Sequence, residues 1–254
     1  MDRGTYVASS AGMLQFRKLD VVNNNLANIN TPGFKRQVLV GETQTFDQTL
    51  ASLVAGNDPY ARGDHDRMPG TVNIRSVTDY SPGPIKNTGN NLDVALRNAK
   101  DFFVIDTPQG QQYTRAGNFT LNEAGDLVAM DGFSVLGDGG AINAQGPGVN
   151  ISPNGSVVSN GEIVGQIQVV RFEDMENLER VGANRFVLRQ GTAAPEAVEA
   201  DLVPQSLEMS NVSAISSVID LMTANRAFDL YAKSSQAIDQ LNQTAITQVG
   251  RRSQ

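Results

Sequence analysis

The chain has 254 residues and a formal charge of −7, long enough for one large domain or two smaller ones. It has no cysteine, which excludes disulfides, thiolate metal sites and a cysteine nucleophile. The charge is uneven, +3 over residues 1–40, −1 over 201–254 and −9 between them, and an acidic middle with nearly neutral ends excludes nucleic acid or an anionic membrane as the main partner.

Hydrophobic residues make up 40% of the chain and aromatics only 6%, with no Trp, so part of it is lean in core material. No run approaches the roughly 18 apolar residues of a membrane span. The opening Met1-Asp2-Arg3-Gly4-Thr5-Tyr6 lacks a basic stretch followed by an apolar run, so a soluble chain without a cleaved secretory signal is expected.

The first predicted element is a helix over 5–30. Leu19, Val22, Leu26 and Ile29 alternate spacings of three and four, and Ala8, Ala11 and Gln15 extend the stripe backward, a seam of coiled-coil type. Asn23, Asn24, Asn25, Asn28 and Asn30 surround it; asparagine is a mediocre helix former, so this helix is weak by itself. Pro32 removes Thr31 from the α region and Gly33 permits a tight turn, which ends it.

Residues 41–200 hold 20 of the 24 glycines and 8 of the 10 prolines. Over 41–85, Asp58-Pro59, Pro69-Gly70 and Ser81-Pro82-Gly83-Pro84 suggest an extended connector. From about 91 come strand-sized apolar runs: 92–96, 102–105, 119–121, 127–130, 157–158, 165–172 and 185–188. Turns at Asn122–Gly125, Asp131-Gly132, Gly137–Gly140 and Pro153–Gly155 separate them. The expectation over 86–200 is an all-β barrel or sandwich.

The last predicted element is a helix over 211–249, following Pro204, with Ser210 or Asn211 as its N-cap. Its apolar stripe runs Val218, Leu221, Ala224, Phe228, Tyr231, Ile238, Leu241, Ala245, Val249, interrupted at Ser235, opposite a polar face of Asn225, Asp229, Lys233, Gln236, Asp239, Gln240 and Gln243. Such a helix is about 60 Å long. The fold class is therefore mixed α and β. Terminal helical segments at 1–40 and 201–254 pack together as a coiled coil and on neighbouring subunits, with Leu19, Val22, Leu26 and Ile29 facing Leu221, Phe228, Tyr231, Ile238 and Leu241.

Catalytic chemistry finds no support. The single histidine, His65, lies in Gly63-Asp64-His65-Asp66-Arg67, and one histidine without cysteine gives no metal ligand set at recognisable spacing. Gly137-Asp138-Gly139-Gly140 matches neither the dinucleotide nor the phosphate-loop pattern. Asp126, Asp131 and Asp138 lack the alternate spacing of a calcium loop. No Gly-x-Ser-x-Gly elbow is present. No catalytic residue, metal or cofactor is expected, and no small-molecule substrate.

Residues 24–36, Asn-Asn-Leu-Ala-Asn-Ile-Asn-Thr-Pro-Gly-Phe-Lys-Arg, resemble the N-terminal signature of bacterial flagellar rod and hook proteins. Residues 207–212, Leu-Glu-Met-Ser-Asn-Val, resemble the second signature of that family, and 90–96 with 113–119 through Asp131-Gly132 resemble its shared β domain. The resemblance assigns the assembly motif to Asn25, Leu26, Ala27, Asn28, Thr31, Pro32, Gly33 and Phe34 with Leu207, Glu208, Ser210, Asn211 and Val212. Met1-Asp2-Arg3 and Thr-Pro-Gly-Phe look more like the proximal rod branch than the distal one. One departure is Arg97-Asn98-Ala99-Lys100-Asp101, where the family commonly has glycines; a changed surface turn is expected there. The resemblance implies a structural subunit, not an enzyme. It implies passage through the flagellar export apparatus without cleavage, and polymerisation with itself and other rod proteins in the periplasmic part of the basal body to transmit torque.

Overall fold

The computed structural model describes residues 3–45, 69–146, 148–182 and 184–251, with side-chain surroundings given for 12–41, 74–237, 240 and 243–244 apart from 147 and 183. His65 and Asp58-Pro59 lie outside the described residues. The chain forms two compact units, one of residues 1–26, 37–78 and 213–254, the other of 27–36 and 79–212.

The first unit holds two helices and a β ribbon. Helix α1 spans Arg3–Ala27, and Thr31 donates its backbone N–H to the Asn28 carbonyl in the turn that follows. Ile29 therefore lies past the helix, in the turn. Asn25 is buried, and its amide accepts from the Gln37 N–H at 2.9 Å and donates to the Gln37 carbonyl at 2.8 Å. An asparagine that weakens the helix thus supplies the two hydrogen bonds a neighbouring strand would otherwise make.

The strands Gln37–Thr45 and Pro69–Thr78 pair antiparallel from Gln37↔Thr78 to Gly41↔Ile74. The stretch expected to be a bare connector is thus bounded by a two-stranded ribbon. Arg17 of α1 donates to the Ile74 carbonyl at 3.2 Å. Val38, Val40 and Val77 are exposed on one ribbon face while Leu39 and Ile74 are half-buried on the other.

Helix α2 spans Ala214–Arg251, about 57 Å of rise. Its cap is Ser213, whose carbonyl accepts from Ser217 N–H at 3.0 Å and whose hydroxyl accepts from Ser216 N–H; neither Ser210 nor Asn211 serves. Ser217 and Ala224 are buried and Leu221 and Tyr231 half-buried, so the covered line starts at Ser217, one residue before Val218. The opposite face is polar only in its second half. Over the first turns Ile215, Ile219 and Met222 are exposed, with Leu230 further on.

The second unit is the β body. Its largest sheet centres on the strand Asp101–Thr107, which pairs with Gly110–Thr114 on one side and with Ser134–Gly137 and Val169–Arg171 on the other. The run Phe102-Phe103-Val104-Ile105 is continuous rather than alternating because this strand is covered on both faces. Phe103 and Ile105 pack with Leu127, Val135, Ile151, Val157 and Leu202. Phe102 and Val104 pack with Tyr113, Val170, Phe172, Leu178 and Phe186. The stretch expected as one strand over 165–172 is two, Glu162–Gln166 and Val169–Arg171. Asn122 organises its turn by accepting from Ala124 and Asp126 N–H. Mixed α and β with a β-rich middle and two long helices is the observed architecture.

Candidate assembly junction

In the second unit the two signature stretches meet. The strand Ser206–Glu208 pairs with Ile85–Asn87, and Leu202–Pro204 with Val94–Leu96. The Thr31–Lys35 turn lies along this edge, with Gly33 N–H donating to the Glu208 carbonyl at 2.8 Å. Gly33 has φ +69°, and a Cβ there would stand 2.4 Å from the Ala116 nitrogen. Both the left-handed backbone and the close approach require glycine. Gly33→Val is expected to lower the melting stability of this unit by about 2–5 kcal/mol. A thermal melt of the variant against wild type checks this, and an unchanged melt would refute the packing argument.

Phe34 is fully buried beneath the Arg180 guanidinium, 4.3 Å from the ring centroid, and Arg180 donates to the Lys35 carbonyl at 3.4 Å. Asn184, with φ 58°, donates to the Pro32 carbonyl at 3.0 Å. Burial holds the Arg180 pKa below its usual value.

At the centre lies Glu208, 2% exposed, between Lys35 and Arg115, each 1% exposed. Lys35 Nζ donates to Glu208 Oε1 at 2.7 Å and to the Ser81 carbonyl at 2.8 Å. Arg115 Nε donates to Glu208 Oε2 at 2.8 Å, with Nη2 2.6 Å from the same oxygen. Gly83 N–H donates to Oε1 at 3.0 Å. Arg115 also donates to the carbonyls of Asn98 and Asp101, so the Arg97–Asp101 turn holds a buried cation. Burial alone would raise the Glu208 carboxyl pKa, but the charges of Arg115 and Lys35 outweigh it and hold it below the ordinary value. Burial lowers the Lys35 pKa, partly offset by Glu208.

An outer layer surrounds this cluster. Asn211 accepts from Arg36 N–H and donates to the Asp79 and Ser81 carbonyls, and Arg36 pairs with Asp79 at 2.8 Å. Leu207, Ser210 and Val212 are buried, and the Ser210 hydroxyl accepts from Val212 N–H. The structure thus gathers Thr31–Phe34 and 207–212 into one internal clasp, whereas Asn25 and Leu26 lie near the end of α1 in the first unit, Ala27 is its last residue and Asn28 opens the turn.

Of the residues expected to pack between helices, Val22 is buried, and Leu19, Leu26, Leu221 and Tyr231 are half-buried. Phe228 is 37% exposed, its ring centroid 6.5 Å from that of Tyr231. The side chains of Ile238 and Leu241 lie outside the described residues. Sequence reasoning passed over Lys35, Arg115, Arg180 and Asn184. The available signal was a lone arginine inside the otherwise polar-apolar run Tyr113-Thr114-Arg115-Ala116.

Three segments match family models: 6–35 "Flagella basal body rod protein", 98–159 "Flagellar hook protein FlgE/F/G D1 domain" and 203–248 "Flagellar basal body rod FlgEFG protein C-terminal". The flagellar basal-body rod protein FlgF of Caulobacter vibrioides is 32% identical over 99% of both chains. The chain belongs to the flagellar basal-body rod protein family. Another member, FlgG of Bacillus subtilis, is 33% identical over 93% of this chain and 95% of its own. The hook-basal body complex protein FlhO of the same organism is 30% identical over 99% and 100%. Lys35, Arg115 and Glu208 come one from each of the three family segments, so the buried charge cluster ties together all three parts that define a rod protein.

Proposed function

We propose that the chain is a structural subunit of the flagellar basal-body rod, polymerising through its helices into the shaft that transmits motor torque. The observation that carries this reading is the pair of unpartnered apolar faces in the helical unit: Met13 and Phe16 on α1, and Ile215, Ile219, Met222 and Leu230 on α2. A lone soluble domain rarely leaves so many large apolar side chains together in water. Leu19, Val22 and Leu26 form one side of a coiled-coil seam with Leu221, Phe228 and Tyr231, and the outer faces meet neighbouring copies. Subunits joined head to tail through such heterologous contacts grow into a helical tube.

The rod family is structural, and the clasp does structural work: its polar groups are spent on one another and on backbone. Partners are further copies and other rod proteins. The subunit reaches the periplasmic part of the basal body through the flagellar export apparatus, which the marginal stability of isolated helices favours. Met1-Asp2-Arg3 and the Thr31-Pro32-Gly33-Phe34 sequence favour the proximal rod. A tag on the β body, located by gold labelling in isolated basal bodies, tests this. Label at the membrane-proximal end of the rod supports it, and label only next to the hook would reassign the chain to the distal rod.

A further inference from the structure

We infer that Gly12 is a notch that sets the register between α1 and α2, with the Tyr231 ring as its key; this rests on the reading that the two helices pair in the assembling subunit. Gly12 sits inside a 25-residue helix, where glycine is disfavoured against alanine and needs a compensating gain. It is buried, and a Cβ built on it would lie 2.5 Å from both Cε1 and Cζ of Tyr231 and 3.0 Å from the hydroxyl oxygen. The tyrosine ring occupies the space a side chain would take.

The positions fit a two-helix seam on both sides. On α1 the covered residues Gly12, Gln15, Leu19, Val22 and Leu26 alternate steps of three and four; on α2 the covered Ser217, Leu221, Ala224, Tyr231 and Ser235, with the exposed Phe228 between them, keep the same steps. Of the α1 positions from 12 to 26 on that seam, Gly12 alone lacks a side chain. Sliding α1 by one turn toward its C-terminal residues would bring Gln15 against the ring in place of Gly12. The α2 side of the seam also holds the small residues Ser217, Ala224 and Ser235, which specify register poorly. Gln15 Oε1, one turn along the seam from Gly12, is buried without a hydrogen-bond partner among the described residues.

The experiment uses the full chain. Gly12→Ala is expected to reduce incorporation into basal bodies at least about tenfold, since the added methyl overpacks the seam. Adding Tyr231→Ala to it should restore incorporation to the level of Tyr231→Ala alone, because the vacated ring leaves room for the methyl. The absence of native cysteine allows a clean geometric control: a Gly12→Cys/Tyr231→Cys pair, treated with a short bismaleimide in dilute monomer, should cross-link within one chain. Wild-type incorporation of Gly12→Ala, a double variant no better than Gly12→Ala, or failure to cross-link would each overturn the inference. Cross-linking is read in the monomer. It therefore stands even if charged substitutions on the outer helix faces leave assembly intact, a result that would defeat the assembly reading alone.

Discussion

Glu208→Gln is expected to destabilise the β body by about 3–5 kcal/mol, because it leaves the buried cations Lys35 and Arg115 facing each other with no anion between them. Four donors converge on the carboxylate, from Lys35, Gly83 and two nitrogens of Arg115, and a neutral amide reverses one of those contacts into a donor–donor clash. Replacing all three charged residues with apolar ones of similar volume should cost far less than the single change. Urea unfolding of the single and triple variants checks the order, and equal losses would show that the charges do not act as a unit.

The same cluster sets a pH dependence. A carboxyl with a depressed folded pKa contributes stability that is fully present above its unfolded value, near 4.5, and lost as pH falls through the folded value. The depressed Lys35 pKa acts in the same direction, since a folded state that binds its proton less tightly gains stability as pH rises toward 10.5. Stability should therefore fall on acidification below about pH 4.5, and Glu208→Gln should flatten that limb.

The second large effect is on assembly. Ile219 and Met222 are each 57% exposed in the single chain, and covering a large aliphatic side chain yields about 1.5–3 kcal/mol. Ile219→Glu/Met222→Glu reverses the sign, placing two carboxylates where desolvation costs several kcal/mol each. Both positions lie away from the covered line through Ser217, Leu221 and Ala224, so helix content and the melting of the β body should stay near wild type. Rod incorporation and motility should fall by at least about a hundredfold. A normally motile strain carrying this variant would remove the face from the interface.

What the sequence disclosed follows from the range of the interactions. The three-and-four spacing of Leu19, Val22 and Leu26 located α1, and Phe102-Phe103-Val104-Ile105 located the central strand, because both patterns are local. The cap of α2 was misplaced because Ser210, Asn211 and Ser213 are all competent caps, and only the fold reveals that Asn211 is spent on Arg36, Asp79 and Ser81. The Lys35–Glu208 pair is separated by 173 residues and Arg115–Glu208 by 93, and isolated charges ordinarily stay at the surface. The ribbon escaped because Gln37–Thr45 mixes polar and apolar residues without a marked core face. The outer face of α2 reads as polar in the sequence because its second half dominates the pattern.

The central claim, that the exposed helix faces are buried between subunits of the rod, is tested most directly by thiol accessibility at Met222. The cysteine-free chain makes Met222→Cys the sole reporter. The variant should react readily with maleimide as purified monomer and be protected in isolated basal bodies that contain it. Equal reactivity in the two states would contradict the account.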